Sequence, residues 1–113
     1  MEMMIKTYDL MKFLERQRTW SEKTFGPGDR TKGIVAHVRK ELEEILEASP
    51  EDALDEWIDV IILSLDQCWR LGASPQKIAW ALENKYQINM KRRWEDWRTK
   101  SPDEPVEHIR DEE

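Results

Sequence analysis

The sequence predicts an all-α protein, a four- to five-helix bundle, and three observations carry that reading. Apolar residues recur at helical spacing through most of the 113 residues. Only four Gly and five Pro occur, and the prolines sit at breaks between the periodic stretches. No stretch shows the period-2 alternation of a half-buried strand, and no internal repeat is visible.

A first helix is expected from near Thr7, whose side chain can cap it, to about Trp20 or beyond, with Leu10, Met11, Phe13 and Leu14 as its apolar residues. The turn residues of Phe25-Gly26-Pro27-Gly28-Asp29-Arg30 read as a loop. A second helix spans about Gly33 to Ala48, with the stripe Ile34, Val35, Val38, Leu42, Ile45 and Leu46. Ser49-Pro50-Glu51-Asp52 offers an N-cap, a proline at N1 and an acid at N3. The third helix then runs to about Leu71, with Gly72 suited to the C′ position. Ser74-Pro75 repeats the restart and opens a fourth helix with an expected reach to Trp97. Residues 1–100 form one domain on this reading. Residues 101–113, rich in Pro and charge, form a tail expected to be mobile or draped on the surface.

The third helix carries Trp57, Val60, Ile61, Ile62, Leu63, Leu65, Trp69 and Leu71 around nearly its whole circumference. A helix apolar on all sides is buried on all sides. One small chain covers it poorly, so a second copy is expected against it, in a homodimer or homotetramer.

Formal net charge is −6, from 24 acids against 18 bases. Such acidity argues against a nucleic acid polymer as partner, which would want a basic face. The longest strongly apolar run, Val60 to Leu63, is too short to cross a membrane. The N-terminus does not read as a signal peptide. Cys68 is the sole cysteine, which excludes an intrachain disulfide and points to a reducing, cytoplasmic setting.

Charge is unevenly spread. From Glu41 to Asp59 there are nine acids and no base. Within that stretch Glu41-x-x-Glu44 and Glu56-x-x-Asp59 each place two carboxylates on one helical face. If the chain folds back at Ser49-Pro50, the four acids meet across an antiparallel helix pair. Glu41 and Glu44 border the apolar stripe, and Asp59 runs directly into Val60-Ile61-Ile62-Leu63, so it is expected to point inward. Solvated acids usually have basic i±4 partners on their own helix, and Glu56 and Asp59 lack them. An all-oxygen cluster suits a hard cation, Mg²⁺ or else Mn²⁺, and with it an enzyme acting on phosphate esters. Glu43, Glu47, Glu51, Asp52 and Asp55 fit a solvated face. Di-iron chemistry needs Glu-x-x-His motifs, and neither His37 nor His108 supplies one.

From Lys85 to Lys100 the balance reverses, with six bases against two acids. Lys85, Asn89 and Arg92 lie at i, i+4 and i+7, with Arg93 beside them. That face suits a triphosphate, because arginine grips phosphate oxygens bidentately. Of the six tryptophans, Trp57, Trp69 and Trp80 read as core or interface. Trp20 and Phe25 flank the glycine loop, where an aromatic ring could stack on a base. His37, one turn before Glu41, is a candidate for supporting the acids or touching the ligand.

Glu41-x-x-Glu44, eleven residues, then Glu56-x-x-Asp59 resembles the metal motif of the MazG-like all-α nucleoside triphosphate pyrophosphohydrolases. The usual motif opens with a further Glu, and Lys40 stands there instead. Lys85-x-x-x-Asn89-x-x-Arg92 resembles that superfamily's phosphate-binding segment. Phe25-Gly26-Pro27-Gly28 and the stretch from His37 to Ile45 resemble a phage and bacterial subgroup described as dATP/dGTP diphosphohydrolases. The resemblance covers roughly Trp20 to Trp97. It implies hydrolysis of a purine deoxynucleoside triphosphate to monophosphate and pyrophosphate by an oligomer. It implies Mg²⁺ on Glu41, Glu44, Glu56 and Asp59, Glu44 as base for the water, and phosphate contacts from Lys85, Asn89, Arg92 and Arg93. Base contacts would come from Trp20, Phe25 and His37. A pyrophosphohydrolase for pyrimidine or damaged nucleotides, and a non-enzymatic helical adaptor with an acidic docking face, are the competing readings.

Overall fold

The computed structural model describes residues 7–110. Four α-helices follow one another: α1 (Leu10–Phe25), α2 (Thr31–Glu47), α3 (Pro50–Arg70) and α4 (Pro75–Lys91). A short 3-10 turn covers Trp97–Thr99, and the described residues contain no strand beyond one isolated bridge. Among the described residues no helix is long and apolar enough to cross a membrane. The chain divides into two compact units, one ending at Ala79 and one beginning at Trp80.

In the first unit the helix boundaries follow capping chemistry. Asp9, not Thr7, caps α1: its carboxylate accepts from the Lys12 N–H at 3.1 Å. Aspartate at this position ranks with the best caps, and losing one costs about 1 kcal/mol. Asp29 accepts from the N–H and hydroxyl of Thr31 at 2.9 and 2.6 Å, so α2 begins at Thr31. Those two bonds hold the Asp29 carboxyl below its usual pKa. Ser49 occupies the N-cap position of α3, but its hydroxyl donates to Asp52 Oδ2 at 3.0 Å instead of accepting from the backbone. Gly72 follows the last residues of α3 with φ at +93°, as its expected C′ role requires. Ser74 Oγ accepts from Lys77 N–H at 3.2 Å and starts α4.

Helix directions can be read from pairings. Gln67 Nε2 of α3 donates to Thr31 Oγ1 of α2 at 2.9 Å, while Glu56 stands beside Glu41. Numbers rise along one helix as they fall along the other, so α2 and α3 are antiparallel. Gln17 donates to the Ile62 carbonyl at 2.8 Å, and Ser21 donates to Asp66. Both pairs are 45 residues apart, so α1 and α3 are parallel. The core gathers Leu14, Trp69 and Ile78, with Leu10, Phe13, Leu65, Cys68 and Ala73 packed around them. Burial pushes the Cys68 thiol above its ordinary pKa, which keeps it protonated.

The third helix is not covered on all sides within one chain. Trp69 is buried, but Trp57 is 52% exposed, and Leu54, Ile58 and Ile61 are exposed near it. Val35, Leu42 and Leu46 of α2 are exposed too.

In the second unit α4 ends at Lys91, short of Trp97. The Trp94 indole donates to the Asn89 carbonyl at 2.8 Å, which satisfies a helix-end acceptor from outside the helix. Beyond that point residues 93–95 pair with 107–109. Ile109 N–H donates to Arg93 O at 2.8 Å and Glu95 N–H to Glu107 O at 2.9 Å, around the antiparallel bridge of Trp94 and His108. Their two rings meet edge to face at 5.9 Å. Residues 107–109 of the tail are thus held to 93–95 by backbone bonds.

Candidate metal centre and adjoining cleft

Glu41 projects from α2, and Glu56 and Asp59 project one turn apart from α3. One carboxylate oxygen from each lies within 4.8 Å of the other two. Glu41 is 9% exposed, Glu56 half-buried and Asp59 exposed, so Asp59 faces outward in the single chain where the sequence pattern suggested inward. Antiparallel packing with a two-residue connection is what brings the two acid pairs level.

The electrostatics of this group call for a cation. Oε2 of Glu41 and Oε2 of Glu56 are buried and have no hydrogen-bond partner. The Glu56 carboxyl is pushed above its usual pKa, first by a hydrogen bond shared with the Glu41 carboxyl. Desolvation adds to this, as do the charges of Glu41, Glu44 and Asp59. Orphaned, buried, mutually repelling carboxylate oxygens fit a hard divalent ion, which would satisfy all of them together. Glu44 is exposed and outside the three-carboxylate group, although its charge acts on Glu56.

His37, one turn before Glu41, places Nε2 3.4 Å from Glu41 Oε1. It also lines a cleft together with Phe25, Arg30, Gly33, Ile34, Leu63, Asp66 and Arg70. The enclosed part measures about 30 Å³, room for a water or two. Of the aromatic residues expected to hold a base, Phe25 and His37 share this cleft. Trp20 is outside it, 55% exposed, with its ring edge-on to Phe25 at 5.4 Å.

Below the cleft lies a polar network. Asp66 and Arg70, at i and i+4 on α3, form an ion pair, and Ser21 of α1 donates to Asp66. The Arg70 side chain is 1% exposed. It donates to Ser21 Oγ at 3.0 Å and to the carbonyls of Gly26 and Gly28 at 2.8 and 2.9 Å. The only sequence signal for this arrangement is an i, i+4 charge pair in the apolar C-terminal half of α3.

In the second unit, Lys85 and Asn89 lie on α4, while Arg92 falls just past its end. Arg92 Nη1 donates to Asn89 Oδ1 at 3.1 Å, so the amide and guanidinium stay together even though the helix stops. Arg93 belongs to the backbone pairing with Ile109.

No curated protein and no solved structure matches this chain. Residues 13–112, however, match the sequence model of the dATP/dGTP pyrophosphohydrolases. That stretch includes both acid pairs, the glycine loop, and the Lys85-to-Arg93 segment, so the chain belongs to the dATP/dGTP pyrophosphohydrolase family.

Proposed function

We propose that this enzyme hydrolyses dATP and dGTP to the monophosphate and pyrophosphate with Mg²⁺ as its ion. The observation that carries the reading is the group of Glu41, Glu56 and Asp59, with two buried oxygens that lack partners, next to the cleft bordered by His37. Glu41, Glu56 and Asp59 would hold the ion, with Glu44 completing the set. When bound, the ion neutralises phosphate charge and lowers the pKa of a water.

The chain's own residues do the rest. Glu44, exposed and outside the three-carboxylate group, accepts the proton of the attacking water. Lys85, Asn89, Arg92 and Arg93 bind the triphosphate oxygens, with Asn89 Oδ1 orienting the Arg92 guanidinium. His37 supports Glu41 from the cleft side. Phe25 and His37 border the base, and Trp20 backs Phe25 by its edge-on contact. A second copy covers the exposed face of Leu54, Trp57, Ile58 and Ile61, in a homodimer or homotetramer in the cytoplasm.

A panel of nucleoside triphosphates with Mg²⁺, reading pyrophosphate and orthophosphate separately, tests the proposal. Pyrophosphate and monophosphate are expected in equal amounts. The kcat/KM for dATP and dGTP should exceed that for dCTP and dTTP by roughly 5- to 150-fold, the worth of 1–3 kcal/mol of extra stacking. Release of orthophosphate with a diphosphate product would sink the reaction, and a pyrimidine preference would sink the base assignment.

A further inference from the structure

We infer that Arg70 is the positioning residue that sets base discrimination, by holding the glycine loop at the mouth of the cleft. The inference rests on the reading above, in which this cleft receives the base.

The loop between α1 and α2 has no regular structure of its own to hold it. Gly26 and Gly28 take φ of +93° and +86°, in the left-handed region that side-chain-bearing residues avoid. Their carbonyls are held instead by one guanidinium, whose bonds to Gly26 O and Gly28 O span 44 and 42 residues of sequence. Arg70 itself is held by its neighbours. Asp66 pairs with its Nε, Ser21 Oγ accepts from its Nη2, and the Trp69 ring lies 4.6 Å from its carbon centre. The Ser21 hydroxyl closes the ring of bonds by donating to Asp66. A planar fork of five donors can serve two backbone carbonyls, a carboxylate and a hydroxyl together.

This loop is bracketed by Phe25, the last residue of α1, and Arg30, which immediately precedes α2. Both stand on the rim of the cleft, and both are exposed. The enclosed volume of about 30 Å³ is far below what a nucleobase fills, so the base must rest at that rim. The distance between Phe25 and His37 therefore decides which ring fits. Arg70 fixes the loop that carries Phe25, and Asp66 and Arg70 also form part of the cleft wall. Asp66 lies seven residues beyond Asp59 on α3, about 10 Å along the axis. The network therefore acts on the base end of the site and leaves the carboxylate group in place.

Two variants test this. Arg70→Lys keeps the charge and loses the fork. Gly28→Ala changes no side chain of the network; its Cβ would meet nothing within 4 Å, yet it strains the loop at positive φ, where the Gly28 carbonyl meets Arg70. The readout is the ratio of kcat/KM for dATP and dGTP to that for dCTP and dTTP, with the Mg²⁺-induced rise in Tm measured alongside. Both variants are expected to lower the ratio by about fivefold or more, the lower end of what base stacking contributes, through KM more than kcat. The Mg²⁺ shift should stay as in the wild type. If Arg70→Lys fails to fold, Gly28→Ala alone decides. A folded variant that keeps the wild-type ratio overturns the inference and reduces Arg70 to a structural ion pair. A wild-type enzyme without any purine preference overturns the base assignment and this inference together.

Discussion

His37 Nε2 lies 3.4 Å from Glu41 Oε1, and this contact joins the cleft to the carboxylate group. It arises because residues four apart on α2 share a face. One side of the imidazole meets the acid, and the ring also lines the cleft. A nucleotide bound with its base in the cleft would bring its phosphates toward Glu41.

Neutralising the acids should abolish turnover selectively. Glu41→Gln, Glu44→Gln, Glu56→Gln and Asp59→Asn are each expected to lower kcat/KM by roughly two orders of magnitude or more, the scale of losing a main electrostatic stabiliser. Glu47→Gln and Glu51→Gln, on the solvated faces, serve as controls and should stay close to wild type. Full activity in any two of the four would defeat the ligand assignment.

Without metal, Glu56→Gln should be more stable than the wild type. Removing one carboxylate relieves the repulsion that pushes the Glu56 pKa up, and an amide can donate to the orphaned Glu41 oxygen. Thermal melts in a chelator measure this. Added Mg²⁺ should then reverse the order, because at about 100 times its Kd it stabilises the wild type by about 2.7 kcal/mol. A wild type that melts at the same temperature with chelator and with millimolar Mg²⁺ would count against the site.

The apolar surface should hold two or more copies together. Leu46 is 81% exposed and Leu54 70%, and neither is an acid ligand. Light scattering at micromolar concentration should read a dimer or a larger even assembly. High salt should leave it intact, since screening weakens charge contacts and not apolar ones. Leu46→Glu with Leu54→Glu should give folded monomers; an unchanged mass would place the interface elsewhere.

The C-terminal attachment should loosen in acid. The Glu95 carboxylate accepts from Glu107 N–H at 3.0 Å and pairs with Lys100 at 3.2 Å, and both interactions hold its pKa below the usual value. A depressed folded pKa means that the contribution is present above the ordinary pKa near 4.5 and is lost as pH falls through the folded value. Hydrogen exchange at the Glu107 and Ile109 amides should therefore quicken at low pH beyond its intrinsic pH trend. Glu95→Gln should show the faster exchange already at pH 7. Equal protection in both proteins at pH 7 would refute the role.

The sequence by itself determined the elements and much of the site, because helices are written in local signals. Pro50, Gly72 and Ser74-Pro75 marked boundaries to within a residue or two, and i, i+3 spacing put Glu56 and Asp59 on one face. The family, and with it the enzymatic reading over the adaptor, was legible in the acid pairs and the glycine loop. Tertiary structure alone decided the rest. Which three acids gather depends on the axial rotation of α2 against α3, and that rotation leaves Glu44 outside the group. The end of α4 depends on an indole three residues past Lys91, with no glycine or proline to announce it. The Ser21–Asp66–Arg70 network joins residues 45 and 49 apart, and it exists only because α1 and α3 run parallel in contact. Capping and periodicity act within a turn or two of helix, whereas these bonds depend on the packed arrangement of whole faces, which no local pattern encodes.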